Sequence, residues 1–263
     1  MIAESISSAE VESSAGPKSF GAAYARGDAD ARRFFRRGYG DDSVSAVVRD
    51  VASRSYPRKE IAGALSVYNE RIGNPAGAAA ARSFESAETF AVIAGQQPGV
   101  FGGGLLTLFK IASAVSVAGR LPDAATSRWE NSRFIPVFWN ASEDSDAGEV
   151  RTAYVPDGEG RLVKIDAGLA DGVSFDRAVV SPAARVAMVD GLFRVLRETK
   201  FGADLRRALE VPTEGDLTFG EWTSRAVAYA FREIGIVVVE PFMIRDLMRE
   251  TVRRIAARAG EIR

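Results

Sequence analysis

The chain contains no cysteine and no histidine. Without cysteine there are no disulfides and no thiolate chemistry. Without either residue there is no Ser-His-Asp triad, no Cys-His dyad and no His/Cys zinc site. Any acid, base or metal ligand must therefore come from Asp, Glu, Lys, Tyr, a hydroxyl or the backbone. Cysteine-free composition is compatible with a reducing cytoplasm, the expected location. Charge of one sign is missing too: 34 basic residues stand against 35 acidic ones, for a net charge of −1. That balance provides no overall field for nucleic acid or an anionic membrane. The arginine groups, such as Arg32, Arg33, Arg36 and Arg37, read as solvated helix faces. Long apolar runs are absent as well. The greasiest stretch, Leu105 to Ala118, is interrupted by Lys110 and Ser113 and is too short to span a bilayer. Residues 1–19 are Ser-rich, with glutamates at positions 4, 10 and 12 and no basic flank or apolar run, so they read as a disordered leader and not a signal peptide.

What remains is an ordinary globular composition, 46% hydrophobic and 26% charged over 263 residues, enough for one large domain or two modest ones. Residues 20–88 have helical spacing, as at Ile61, Leu65 and Tyr68, with a break at "GNPAG". "TFAVIAG" (Thr89–Gly95), Phe134–Trp139 and "IGIVVVE" (234–240) are short continuous apolar runs, the pattern of strands buried on both faces. Pro136 inside the second run favours a strand start or an edge. The helix after the first strand is expected to pack through Leu105, Leu108, Phe109, Ala112, Val115 and Ala118. Two short runs around "DGEG", within residues 151–181, predict a hairpin insertion. Helices are expected over Pro182–Thr199, Gly220–Ile234 and 244–258. Strands alternating with helices predict an α/β fold with a mainly parallel sheet flanked by helices, in one domain over 20–263.

Two segments carry candidate chemistry. "GQQPGVFGGGLLTLFK", Gly95 to Lys110, places five glycines and two adjacent glutamines between a strand and a helix. In a parallel sheet that loop faces the ligand crevice, and glycines at a helix start let an anion approach backbone N–H groups. Neither nucleotide fingerprint is met, so a tight turn and an anion contact both remain open. "WNASEDSDAGE" (139–149) follows the second strand and crowds Glu143, Asp144, Asp146 and Glu149 into seven residues. Such carboxylates must take up a proton, meet a cation or accept hydrogen bonds. Mg²⁺, an amino group and sugar hydroxyls all fit, and so does a solvated loop that caps the next element.

Together, "AGQQPGVFGGGLLTLFK" and "IPVFWNASEDSD" resemble the bacillithiol-biosynthesis cysteine-adding enzyme family, the cysteine ligases, with weaker similarity across most of the chain. The resemblance implies a Rossmann-like core and the joining of cysteine to glucosaminyl malate. It carries Gly95, Gln96, Gln97, Gly102, Gly103 and Lys110 over as substrate- or nucleotide-binding residues, and Glu143, Asp144 and Asp146 as the acidic, catalytic motif. Three positions depart from the family pattern: Ser145 stands where histidine is usual, Gly104 where proline is usual, and Asn140 where an apolar residue is usual. Family members also continue into a further core section and a coiled-coil region.

Amide formation needs an activated carboxyl, which makes ATP and Mg²⁺ compatible with this chemistry, although no motif demands either. The expected partners are small molecules, cysteine and glucosaminyl malate by resemblance, with no nucleic acid and no membrane. A homodimer or a complementing chain remains open. A ligase, a non-catalytic binding relic and one half of a split enzyme are the competing readings. An exposed apolar sheet edge would mark the last of these.

Overall fold

The computed structural model describes residues 19–35, 37–38, 43–124, 131–211 and 215–261, with side chains 122–124 excepted; the leader up to residue 18 lies outside them. The chain divides into two compact units, residues 1–55 with 120–132, and residues 56–119 with 133–263. In the first, helices α1 (Phe20–Arg26), α2 (Ala29–Arg32) and α3 (Val44–Ala52) are short. Phe20 meets Phe34 edge-on and Tyr24 packs on Phe35, while Arg37 pairs with Asp50 at 2.7 Å. The helical pattern at "DADARRFF" yields only the single turn of α2.

The second unit begins with α4 (Arg58–Arg71) and α5 (Pro75–Arg82), then β1 (Thr89–Gln96), α6 (Leu105–Ala124, its last residues in the first unit) and β2 (Arg133–Asn140). A short α7 (Ala147–Val150) leads into the hairpin β3 (Thr152–Pro156) and β4 (Leu162–Asp166). There follow β5 (Val179–Val180), α8 (Pro182–Phe193), α9 (Gly202–Glu210), β6 (Leu217–Thr218), α10 (Phe219–Ala230), β7 (Val237–Val239) and α11 (Arg245–Ala257). Local chemistry sets several helix starts. Asn74, Ser181 and Thr218 each accept an N–H of the first turn, with proline beginning α5 and α8.

The central sheet has the order β1-β2-β7 and is parallel throughout, with Gln96 opposite Asn140 and Trp139 opposite Val239. Its two faces bury different partners. Ile135, Val137, Val237 and Val239 pack with Ala62, Leu65 and Ala81 of α4 and α5. Phe138, Ile236 and Val238 pack with Ile111 of α6 and Val227 of α10. Helices on both faces make this a Rossmann-like α/β sheet. A fully buried side chain such as Phe138 contributes about 1.5–3 kcal/mol by leaving water. The predicted hairpin is present and antiparallel, and a separate apolar cluster joins Ile165, Phe175, Val189 and Trp222 beside it.

Four sequence expectations are corrected. β1 is not buried on both faces: Ala91, Ile93 and Gly95 are exposed, because the α4–α5 cluster on that face takes in Ile135, Val137, Val237 and Val239 and none of these three β1 residues. Pro136 lies in the central strand, not at an edge. The amides of Arg133 and Ala141 point toward β1, so those of the even-numbered residues between them point toward β7, whose pairing starts only at Val137. The missing N–H of Pro136 therefore falls where no ladder bond is due. α6 packs through Thr107, Ile111, Ala114 and Ala118, leaving Leu105, Phe109 and Ala112 exposed. A helix apolar almost all round does not fix its own phase. Finally, α8 stops at Phe193, and the exposed Leu196 finds no core to extend it into.

Candidate functional site

Parallel pairing of β1 and β2 brings the glycine loop and the acidic loop to the same carboxyl rim. A continuous side-chain chain joins them there. The Lys110 ammonium, reaching back from α6, donates to Gln96 Oε1 at 2.6 Å and to the Gly95 carbonyl at 3.4 Å. Gln96 Nε2 donates to Gln97 Oε1 at 2.9 Å, and Gln97 Nε2 donates to Asp144 at 3.2 Å and Glu149 at 2.9 Å. The direction of each amide is forced. An ammonium only donates and carboxylates only accept, so both glutamines must align head to tail between them.

The acidic loop is shaped by its own backbone. Asp144 Oδ1 accepts the amides of Ser145 and Asp146 at 2.7 and 3.2 Å. Those two N–H groups, Asp146's first, hold the Asp144 carboxyl below its ordinary value, with Gln97 assisting. Carbonyls of Ser142, Asp144 and Ser145 accept the amides of Asp176, Phe175 and Gly172, which ties the loop to the segment before β5. Glu143 and Asp146 are exposed.

The glycines divide by role. Gly102 and Gly103 have φ of 94° and 91°, conformations glycine adopts without cost. A Cβ on Gly102 would press on Ala226, one on Gly103 would lie 2.7 Å from Thr107 Oγ1, and one on Gly99 would lie 2.8 Å from the Gly103 backbone. These three face their own protein, so the tight-turn reading accounts for them. Gly95, Gln96, Gln97, Lys110 and Asp144 are the predicted residues that gather, and Glu149 joins them. It was visible in the carboxylate run, but only the turn of α7 brings it back to Gln97.

A second polar group lies beneath this rim and was not singled out by sequence reasoning. Glu240, Asn140 and Ser142 are fully buried and Tyr68 nearly so. The Tyr68 hydroxyl donates to Glu240 Oε1, and the Ser224 hydroxyl lies 3.4 Å from the same oxygen. Asn140 Nδ2 donates to Gly220 O at 3.0 Å and to Ser224 Oγ at 2.9 Å. Burial raises the pKa of Glu240, with the Ser142 and Tyr68 hydroxyls opposing, and burial together with the nearby Glu240 raises Tyr68 well above its ordinary value. The one sequence signal was a glutamate ending an otherwise apolar strand.

The fold and the rim together define a Rossmann-like α/β protein with a polar side-chain chain at the ends of its first two parallel strands. Over residues 1–259 the chain matches the model of the bacillithiol biosynthesis BshC N-terminal Rossmann-like domain, and it belongs to that family. It is 28% identical over 218 residues to a protein of Bacillus licheniformis provisionally named cysteine ligase BshC, covering 82% of this chain and 39% of that one. The same name is carried by a relative from Koribacter versatilis, 28% identical over 84% of this chain and 40% of its own length. A third, from Heliobacterium modesticaldum, is 34% identical over 54% of this chain and 27% of its own. The chain thus spans about two-fifths of the length of the first two relatives. Among the described residues no helix is long and apolar enough to cross a membrane.

Proposed function

We propose that this chain carries the substrate face of a cysteine ligase of bacillithiol biosynthesis, joining cysteine to glucosaminyl malate. The observation that supports this reading is the Lys110–Gln96–Gln97–Asp144/Glu149 chain at the shared rim. One end is cationic and suits the carboxylate of malate or a phosphate; the other is anionic and suits the amino group of cysteine. A ligand that enters between them replaces the glutamine bonds with its own, and unpaired amides are costly enough to reject a ligand that lacks matching groups. Lys110 and the two glutamines orient the acceptor, while Asp144, kept ionised by backbone N–H groups, holds an ammonium. Glu143 and Asp146 are exposed beside it for proton exchange with solvent.

ATP would serve to activate the cysteine carboxyl, and Lys110 would be the residue placed to contact its phosphates. Among the described residues no three acidic side chains gather as a metal-ligand set. Magnesium would therefore be held mainly by phosphate oxygens, with one or two carboxylates at most. A binding-only reading is favoured by one observation: histidine, the side chain best suited to proton transfer near neutrality, is absent from the chain.

The test is to incubate the purified chain with cysteine, glucosaminyl malate, ATP and Mg²⁺, seek the condensed thiol by mass spectrometry, and follow thermal stabilisation by each ligand. Product formation supports the ligase. Stabilisation without product, abolished in Gln97→Ala and Asp144→Ala, supports binding alone. Neither product nor stabilisation overturns both.

A further inference from the structure

We propose that Glu240 is a positioning residue for the acidic loop, acting through Ser142 at the loop's start. The argument begins with hydrogen-bond accounting. Three buried atoms in this cluster, Asn140 Oδ1, Ser142 Oγ and Glu240 Oε2, meet no hydrogen-bond partner of good geometry among the described residues. Oε1 already accepts from Tyr68 and faces Ser224. Oε2 and Ser142 share one small space: a Cβ on Gly220 would collide with Oε2 and lie 2.8 Å from Ser142 Cβ. As a carboxylate, Glu240 would bury a charge whose nearest cation, Arg71, is already paired with Glu221. As a carboxylic acid it contributes a proton on Oε2 that the Ser142 hydroxyl oxygen beside it can accept. Ser142 immediately precedes Glu143 and Asp144, and its carbonyl accepts the Asp176 amide at 2.9 Å. Fixing Ser142 therefore fixes where the Asp144 turn leaves β2. Tilting it would move Asp144 away from Gln97.

The groups facing Glu240 are Tyr68 and Arg71 from α4, Ser224 and Glu221 from α10, and Ser142 from the loop. Arg71 is itself paired with Glu221 at 3.3 Å, and Glu221 also holds Arg225. An acid whose folded pKa is raised is neutral in both states below the ordinary carboxyl value of 4.5, where its contribution is whole. The contribution declines as pH rises through the folded value. Glu240→Gln keeps a donor and an acceptor in the same shape without titrating.

The inference rests on the substrate-face reading for its purpose, but its test uses no ligand. Hydrogen exchange of residues 142–147 is measured between pH 5 and 9 in the wild type, Glu240→Gln and Glu240→Ala. Wild-type protection is expected to fall with pH beyond the intrinsic exchange rate, and Glu240→Gln to keep its protection throughout. Glu240→Ala is expected to exchange about tenfold faster at every pH, the equivalent of about 1.4 kcal/mol of local opening. If the wild type and Glu240→Gln share one profile, the inference is overturned, whether or not Glu240→Ala folds. If the profiles separate while no ligand stabilises the chain, the positioning role stands and the substrate-face reading falls.

Discussion

The two edges of the three-stranded sheet are finished in opposite ways. Along β7 the outer edge is closed by side-chain amides. Asn69 accepts the Val238 N–H at 3.0 Å and donates to the Val238 carbonyl at 3.0 Å, while Asn74 donates to the Ile236 carbonyl at 2.8 Å. Two asparagines thus stand in for a neighbouring strand, and both are buried. Along β1 the edge remains open, its alternate side chains exposed and its last carbonyl met by Lys110. An edge that serves only stability is satisfied from within the fold. The β1 edge, beside the rim, is instead left with groups that can exchange partners. The capped β7 edge lacks the bare backbone expected of a split enzyme, whereas the β1 edge, with Ile93 exposed and no strand paired to it among the described residues, has that character.

The largest way to break this contrast is Asn69→Ala. It leaves the Val238 N–H and C=O buried without partners and releases Asn74, which donates to Asn69 Oδ1. A loss of about 3 kcal/mol in urea unfolding is expected. Next is Gly77→Ala. Alanine ordinarily favours a helix over glycine by about 1 kcal/mol. Here its Cβ would collide with Asn74 Nδ2 and the Ile236 carbonyl, so a net loss of about 2 kcal/mol is expected instead. A stabilised Gly77→Ala protein would show that the asparagine cap is slack.

On the open edge, Gln97→Ala is expected to cost less than about 1 kcal/mol of stability, since its bonds lie at a partly exposed rim. It should nonetheless abolish the thermal shift produced by malate-containing ligands. A Gln97→Ala protein destabilised as strongly as Asn69→Ala would erase the distinction between the edges. The smallest effect is on the acid limb. The Asp144 pKa is lowered, so its contribution is present above the unfolded value of 3.8 and is lost as pH falls through the folded one. Asp144→Asn should lower stability slightly in the neutral range and remove the further loss that the wild type shows below about pH 4, as read from thermal unfolding across pH.

The strands and the hairpin were legible because their signals are local. A β-branched and aromatic run such as "IPVFW" or "IVVV" has few other homes, and "DGEG" turns wherever it lies. The two site loops were legible for the same reason, each following a strand that a parallel sheet aims at one rim. The phase of α6 was not, because a helix that is apolar all round presents several equivalent faces, and only its neighbours choose among them. Glu240 was illegible because a single glutamate after an apolar run gives no indication whether it meets water or is buried.

The sequence by itself determined the element types, the parallel arrangement and the chemistry excluded by the lack of cysteine and histidine, all properties of composition and short-range pattern. Tertiary structure alone decided that Gln97 meets Glu149, that Asn69 serves as a strand edge and that Glu240 lies under the acidic loop. Each of these joins residues 52, 169 or 98 positions apart. Whether a polar side chain is satisfied depends on what the fold brings within about 3 Å of it, not on its neighbours in the chain.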